Sequence, residues 1–397
     1  MTHHGRRNGR LESRRLSSLV LSATVLLQVA PASASAIPRF VFVDGSDRFA
    51  ERIACRSWGS RPGFALTVLH RGRSVLSEQC GLADLGRGVP VDGDTRFRAT
   101  PVGKTLISAA ALLLHEERAL SLDERLSSFF PGLPEWAQRI RVLDVLNHTA
   151  GLPEFRDETG LPDSIDGEWV LAFLARRPRP AFEPGSSFAE SESGYLVLTE
   201  LIERTSGLRW IDFVEDRILR PLGMHETRLV DGPAAEVPAR AIGYRSTGDG
   251  FEIDRSPSDT PIGSFEVFTT VGDLTRWYSA LAEHELLTPR STRMMFHFPL
   301  TSSGSVSSVA MGWVDRTVPV DARRHAGLRG FATGDSSMEL AFYPDEELCV
   351  ILLGNADRLP AFLDDALSHY LIDVPRRKAA YPADDPFGRE RGASHRR

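Results

Sequence analysis

The stretch that decides the fold is FRATPVGKTLISAAALLLHEE, Phe97 to Glu117. From Leu106 onward its apolar residues recur on a 3.6-residue period, which predicts a helix. Thr100-Pro101 supplies the start of that helix: threonine suits an N-cap, and proline, whose missing N–H costs nothing there, suits the first helical position. Lys104 follows one turn in. Of 47 basic residues, all but Lys104 and Lys378 are arginine. A lysine kept against that background predicts a site that needs an ammonium able to lose its proton when buried, or a slot too narrow for a guanidinium.

Working outward, Gly63 to Asp84 reads GFALTVLHRGRSVLSEQCGLAD, apolar alternation on both sides of an HRGR turn, and predicts a β-hairpin. From about 100 to 240 the chain is helix-rich, with Gly194 to Ser206 repeating the helical period and proline-rich loops between. From about Ala241, turns and short strands resume, ending in an apolar strand, Leu348 to Leu353, and a helix near Leu359 to Leu371. Strands at both ends with helices between them predict one sheet built from the two ends of the chain. Residues 374–397 are polar and charged and predict a disordered tail.

The first 36 residues read as a signal peptide. Five arginines and one glutamate precede Leu16, an apolar run extends to Ala30, and the small residues PASASA follow. The run is short for a membrane span, and an uncleaved anchor is the alternative. Loss of this segment would take the net charge from −6 to about −10, because five cations and one anion leave with it. An acidic, exported chain, periplasmic or extracellular, does not suit nucleic acid, which needs basic surface. No membrane span is expected after cleavage. Export permits disulfides: Cys55 and Cys80 flank the hairpin and are candidates to pair, while Cys349 reads as a buried strand residue. The cysteine and histidine spacings offer no metal site, and no cofactor is implied.

The order of motifs resembles the serine β-lactamase and penicillin-binding-protein superfamily, in its class C and D-aminopeptidase or esterase-like branch. The resemblance runs through Phe97 to Phe155, FEPGSSF, GYLVLTELIERTSGLRWIDFVEDRILRPLGMHET, TTVGDL, MGW and HAGLRGF, and covers roughly Gly63 to Asp373. It implies an α/β fold of the β-lactamase/transpeptidase type, a central antiparallel sheet flanked by helices plus a helical domain. The α/β part would take about 37–99 and 241–373, and the helical part about 100–240. It also implies acyl transfer by a serine three residues before the lysine, a tyrosine from a Y-x-N motif, and an oxyanion hole that includes the serine's own N–H.

Here the chain departs from the pattern. The nucleophile position is Pro101, which has neither hydroxyl nor N–H. The Y-x-N position reads Glu190-Ser191-Glu192, so Glu190 is expected to face Lys104 as an ion pair. His325-Ala326-Gly327 matches the strand bordering the family's site, His148 in LNHTAGLP is read as structural, and Phe265-Glu266 stands where a Gly-Gly-type turn is expected, narrowing the pocket. Three readings follow. One is a pseudoenzyme whose cleft binds a small-molecule, peptide or cell-wall-like ligand. The second is an enzyme with relocated chemistry, using Lys104 with Ser191, or Glu190 activating water beside Lys104, with His325 near. The third is an envelope scaffold in which the cleft plays no part.

Overall fold

The structure, a computed structural model, describes residues 58–162, 164–230, 237–254, 266–315, 336–342 and 348–357, with the backbone alone of 326–332 and 343. The expected signal segment, Cys55, Phe265, His325, the helix expected near Leu359 to Leu371 and the polar tail lie outside these residues.

The predicted hairpin is formed by β1 (Phe64–His70) and β2 (Arg73–Cys80). Its turn places Arg71 at φ 53° and Gly72 at φ 69°, left-handed values at both central positions that match the twist of the flanking strands. Next come β3 (Leu82–Asp84) and β4 (Val89–Pro90), then β5 (Phe97–Arg98), β6 (Arg228–Val230), the pair β7 (Tyr244–Ser246) and β8 (Phe251–Ile253), and β9 (Glu266–Thr269). The last of these lies between β5 and β6 in a three-stranded sheet. The strands β10 (Val309–Ala310), β11 (Trp313–Asp315), β12 (Ala326–Ala332), β13 (Ser336–Tyr343) and β14 (Leu348–Gly354) complete a seven-stranded antiparallel sheet ordered β10-β11-β12-β13-β14-β1-β2. The two ends of the chain therefore meet, with Phe64 opposite Gly354 and His70 opposite Leu348.

Strands β1 and β14, both interior to the sheet, are apolar on both faces because both faces are covered. Ala65, Leu69, Cys349, Ile351 and Leu353 enter the main core, while Phe64, Leu66, Val68, Leu348, Val350 and Leu352 form a second cluster on the other side. Cys349 is a buried free thiol and Cys80 is disulfide-bonded.

The helices are α1 (Pro101–Glu116), α2 (Leu126–Phe129), α3 (Val142–Leu146), α4 (Gly167–Ala175), α5 (Glu192–Ser206), α6 (Trp210–Val214), α7 (Val271–Ala282) and α8 (Pro289–Met295). Residues Val102 through Leu114 of α1 are all buried. This helix is the axle of the fold, enclosed by α5, α6, β9 and β12. Its polar members are accordingly partnered: Thr105 donates to the Val102 carbonyl, and Ser108 meets the Tyr195 hydroxyl at 2.9 Å. Two helices, α7 and α8, stand where only turns and short strands are predicted. Thr270 caps the first by accepting the Asp273 N–H, and α7 then covers β1 and β14.

Candidate functional site

Helix α1 begins as the sequence predicts, with Pro101 at its first position, but Thr100 does not cap it. Thr100 is already in the right-handed helical region (φ −46°, ψ −39°). The Val102 and Gly103 N–H groups are held by the Ala99 and Thr100 carbonyls instead. The Thr100 hydroxyl is free to donate to Glu266 at 3.2 Å. Glu266 in turn does not narrow the pocket as expected. It is 5% exposed and takes the Arg98 guanidinium on both carboxylate oxygens. Arg98 faces Phe268 across the β5–β9 ladder, which puts Glu266 on the adjacent diagonal, within reach of a long side chain.

One turn into α1, the Lys104 ammonium is wedged between two carboxylates, 2.7 Å from Glu190 Oε1 and 2.5 Å from Glu192 Oε1. Burial alone would lower the lysine pKa; Glu192 and Glu190 outweigh it and raise it. The same lysine holds the Glu190 carboxyl below the usual range, against burial. Glu190 is the more exposed partner, with a 60% exposed side chain against 24% for Glu192.

Both glutamates are placed by the start of α5. Ser191 is its N-cap: the hydroxyl accepts the Gly194 N–H at 2.9 Å and donates to Glu154 Oε2 at 3.3 Å. It is therefore committed to the helix and to Glu154, and the structure gives it no bond to Lys104. Glu192 opens the helix, where an acidic side chain also meets the positive end of the helix dipole. Sequence reasoning missed Glu154, which accepts the N–H groups of Arg156 and Ser193 besides the Ser191 hydroxyl. Its pKa is raised, burial outweighing these bonds.

His148, 2% exposed, lies behind this turn and accepts the Ser191 N–H on Nδ1 at 3.1 Å while stacking on Tyr195. Its φ of 57° is unusual for a non-glycine residue. Burial and the Lys104 ammonium, with Glu190 opposing, push its pKa down to about 3. The sign of the linkage follows. Below about 6.5 the unfolded chain takes up a proton here that the folded chain refuses, so stability falls as pH drops from about 6.5 toward 3. The slope should approach ~1.4 kcal/mol per pH unit. Urea denaturation across that range should show it, and His148→Asn, which tolerates the left-handed backbone, should remove most of the slope.

Gly312 is a second residue that sequence reasoning did not single out. It and Met311 form the β10–β11 turn, with φ of 83° and 48°. A Cβ on Gly312 would lie 2.8 Å from the backbone of Lys104 and Thr105, so the bare turn is pressed onto α1 where the lysine leaves it. The backbones of Ala326 and Gly327 lie beside this turn's second strand, opposite Asp315 and Val314. His325 is outside the described residues.

Beside Glu190 and Ser191 opens a cavity of about 270 Å³, lined among others by His148, Leu152, Glu154 and Phe182. Among the described residues no cluster could hold a metal ion, and no helix is long and apolar enough to cross a membrane.

Comparison with known proteins follows the same geometry. The family model "Beta-lactamase" matches residues 49–372. Penicillin-binding protein 4* of Bacillus subtilis is 23% identical over 351 residues, covering 82% of this chain and 76% of that one. The β-lactamase of Escherichia coli K12 is 24% identical over 327 residues, covering 74% and 84%. Among solved structures, the D-amino acid amidase of Ochrobactrum anthropi SV3 superposes with a TM-score of 0.66 at 22% identity, covering 82% of this chain and 98% of that one. The sheet built from both chain ends, the buried helix carrying Lys104 and the match over most of the sequence place this chain in the serine β-lactamase and penicillin-binding-protein superfamily.

Proposed function

We propose that this protein is an exported member of its family whose cleft binds a ligand without forming an acyl-enzyme. The observation that carries the reading is the pair Pro101 and Lys104. The residue one turn before the lysine offers no hydroxyl and no N–H, and the lysine is held cationic by Glu190 and Glu192. A lysine whose pKa is raised is a poor acceptor for a serine proton. The neighbouring hydroxyls support the same reading: Thr100, Thr105, Ser108, Ser191 and Ser193 are each bonded to a named partner. Glu190 is a weak candidate base for water, since Lys104 lowers its pKa. Export rests on the N-terminal segment and on the penicillin-binding proteins and β-lactamases among its relatives.

The test is covalent labelling. Purified mature protein incubated with a fluorescent penicillin and with a fluorophosphonate should show no mass increase and no fluorescent band. An adduct on the parent protein would sink the proposal, and peptide mapping would then name the nucleophile, with Ser191 checked first.

A further inference from the structure

We infer that the cleft takes a small organic cation, an ammonium or guanidinium group on an apolar body, and turns away carboxylates; this rests on the ligand-binding reading above. Among the described residues, the lining of the 270 Å³ cavity includes Glu154, Asp157 and Glu190 and no lysine or arginine. The ammonium beside it, Lys104, is already matched by two of the site's acids, Glu190 and Glu192, and the Arg156 guanidinium is near enough to favour the charged form of Glu190 as well. Counting Glu154 and Asp157, one lysine and the exposed Arg156 stand against four carboxylates. A carboxylate ligand would meet repulsion from all four and would have to displace a glutamate to reach the ammonium.

Glu154 is the acid most in want of a charged partner. Among the described residues its bonds come from neutral donors, the Ser191 hydroxyl and backbone N–H groups such as those of Ser193 and Arg156. The nearby Arg156 guanidinium lies over the Phe155 ring, 5.7 Å from its centre. A second, independent observation points to a ligand in the same wall. His148 Nδ1 accepts a backbone N–H, which leaves the imidazole proton on Nε2, and that buried atom has no partner. An orphaned donor of this kind calls for an acceptor, which a polar atom next to the ligand's cationic group would supply. Leu152 and Phe182 give the apolar body its contacts.

The experiment is calorimetric titration of the full mature chain with two probes of matched shape and opposite charge, 2-phenylethylammonium and 3-phenylpropanoate, at neutral pH. The ammonium should bind saturably and the carboxylate should give no binding heat. Glu154→Gln keeps the side chain's shape and an acceptor oxygen and should weaken the ammonium by about tenfold or more, with an unchanged urea midpoint showing that the fold is intact. Tighter binding of 3-phenylpropanoate would overturn the inference while leaving the ligand-binding reading in place. Unchanged affinity in Glu154→Gln would overturn the assignment of this wall. Binding of neither probe would overturn the inference, and the ligand-binding reading would then fall only if a neutral analogue of the same shape also failed to bind. A penicillin adduct on the parent would sink the non-catalytic reading but leave the comparison of the two probes to decide this one.

Discussion

The variant Pro101→Ser/Glu190→Tyr/Glu192→Asn is expected to gain a stable penicillin adduct visible by intact mass, while Pro101→Ser alone labels far more slowly. The single change restores a hydroxyl and a backbone N–H at the first position of α1. Losses of these two features are worth about 10⁶ and about 10²–10³ in rate in well-studied hydrolases, although the factors need not multiply. It leaves Lys104 clamped by two carboxylates, with its pKa raised. Removing both acids reverses the balance. The ammonium, 9% exposed at the side chain, would be buried without a counter-charge, so desolvation would pull its pKa down toward a value useful for accepting the serine proton. Folding should tolerate serine at position 101, because Thr100 is already helical and the first N–H groups are held by backbone carbonyls. A folded triple variant that never labels would show that more than these three positions has been lost. Equal labelling of the single and triple variants would show that the two glutamates do not restrain the lysine.

Arg98→Leu should cost about 3–5 kcal/mol of unfolding free energy, because it leaves the Glu266 carboxylate buried without its partner. The side chains of this pair are 8% and 7% exposed, and Thr100 supplies only a single neutral hydrogen bond in compensation. The double variant Arg98→Leu/Glu266→Leu should recover most of the loss, since a buried ion pair offers little net stability over apolar residues that fill the same space. Urea denaturation of parent, single and double variants measures both quantities. A single variant within about 1 kcal/mol of the parent would mean that water reaches Glu266 once the arginine is gone.

Much of this was legible in the residues. The HRGR turn, the proline at the head of a helix and the apolar strand near position 350 are local signals whose physics does not depend on distant parts of the chain. Glu190 could be set opposite Lys104 because a motif fixed both positions. The rest depended on tertiary placement. Glu192 was legible as a site residue but not as the second arm of the clamp, since nothing in ESE says which of its two acids turns inward. Glu154 reaches the site from a loop 37 residues before Ser191. Thr100 looked like a cap because its type is right for one, and only the backbone angles show that the helix has already begun there. Glu266 stood in a turn motif, and its attachment to Arg98 comes from a strand register that neither segment encodes alone. Gly312 appeared only within the MGW segment, and its contact with α1 shows only once the helix beneath it is in place.

The pairing of β1 with β14 sets the order of events when this protein is made. Phe64–His70 is among the first structured segments to be synthesised, and its partner Leu348–Gly354 among the last. The ribosome must therefore release nearly the whole chain before the central ladder can close. Until then an apolar strand destined for burial on both faces lacks one neighbour. Contacts so distant along the chain slow folding and lengthen the time for which that edge can recruit another molecule. Were the chain exported unfolded, as the proposed signal segment allows, its late-closing sheet would depend on holding factors during that interval more than its final stability would suggest.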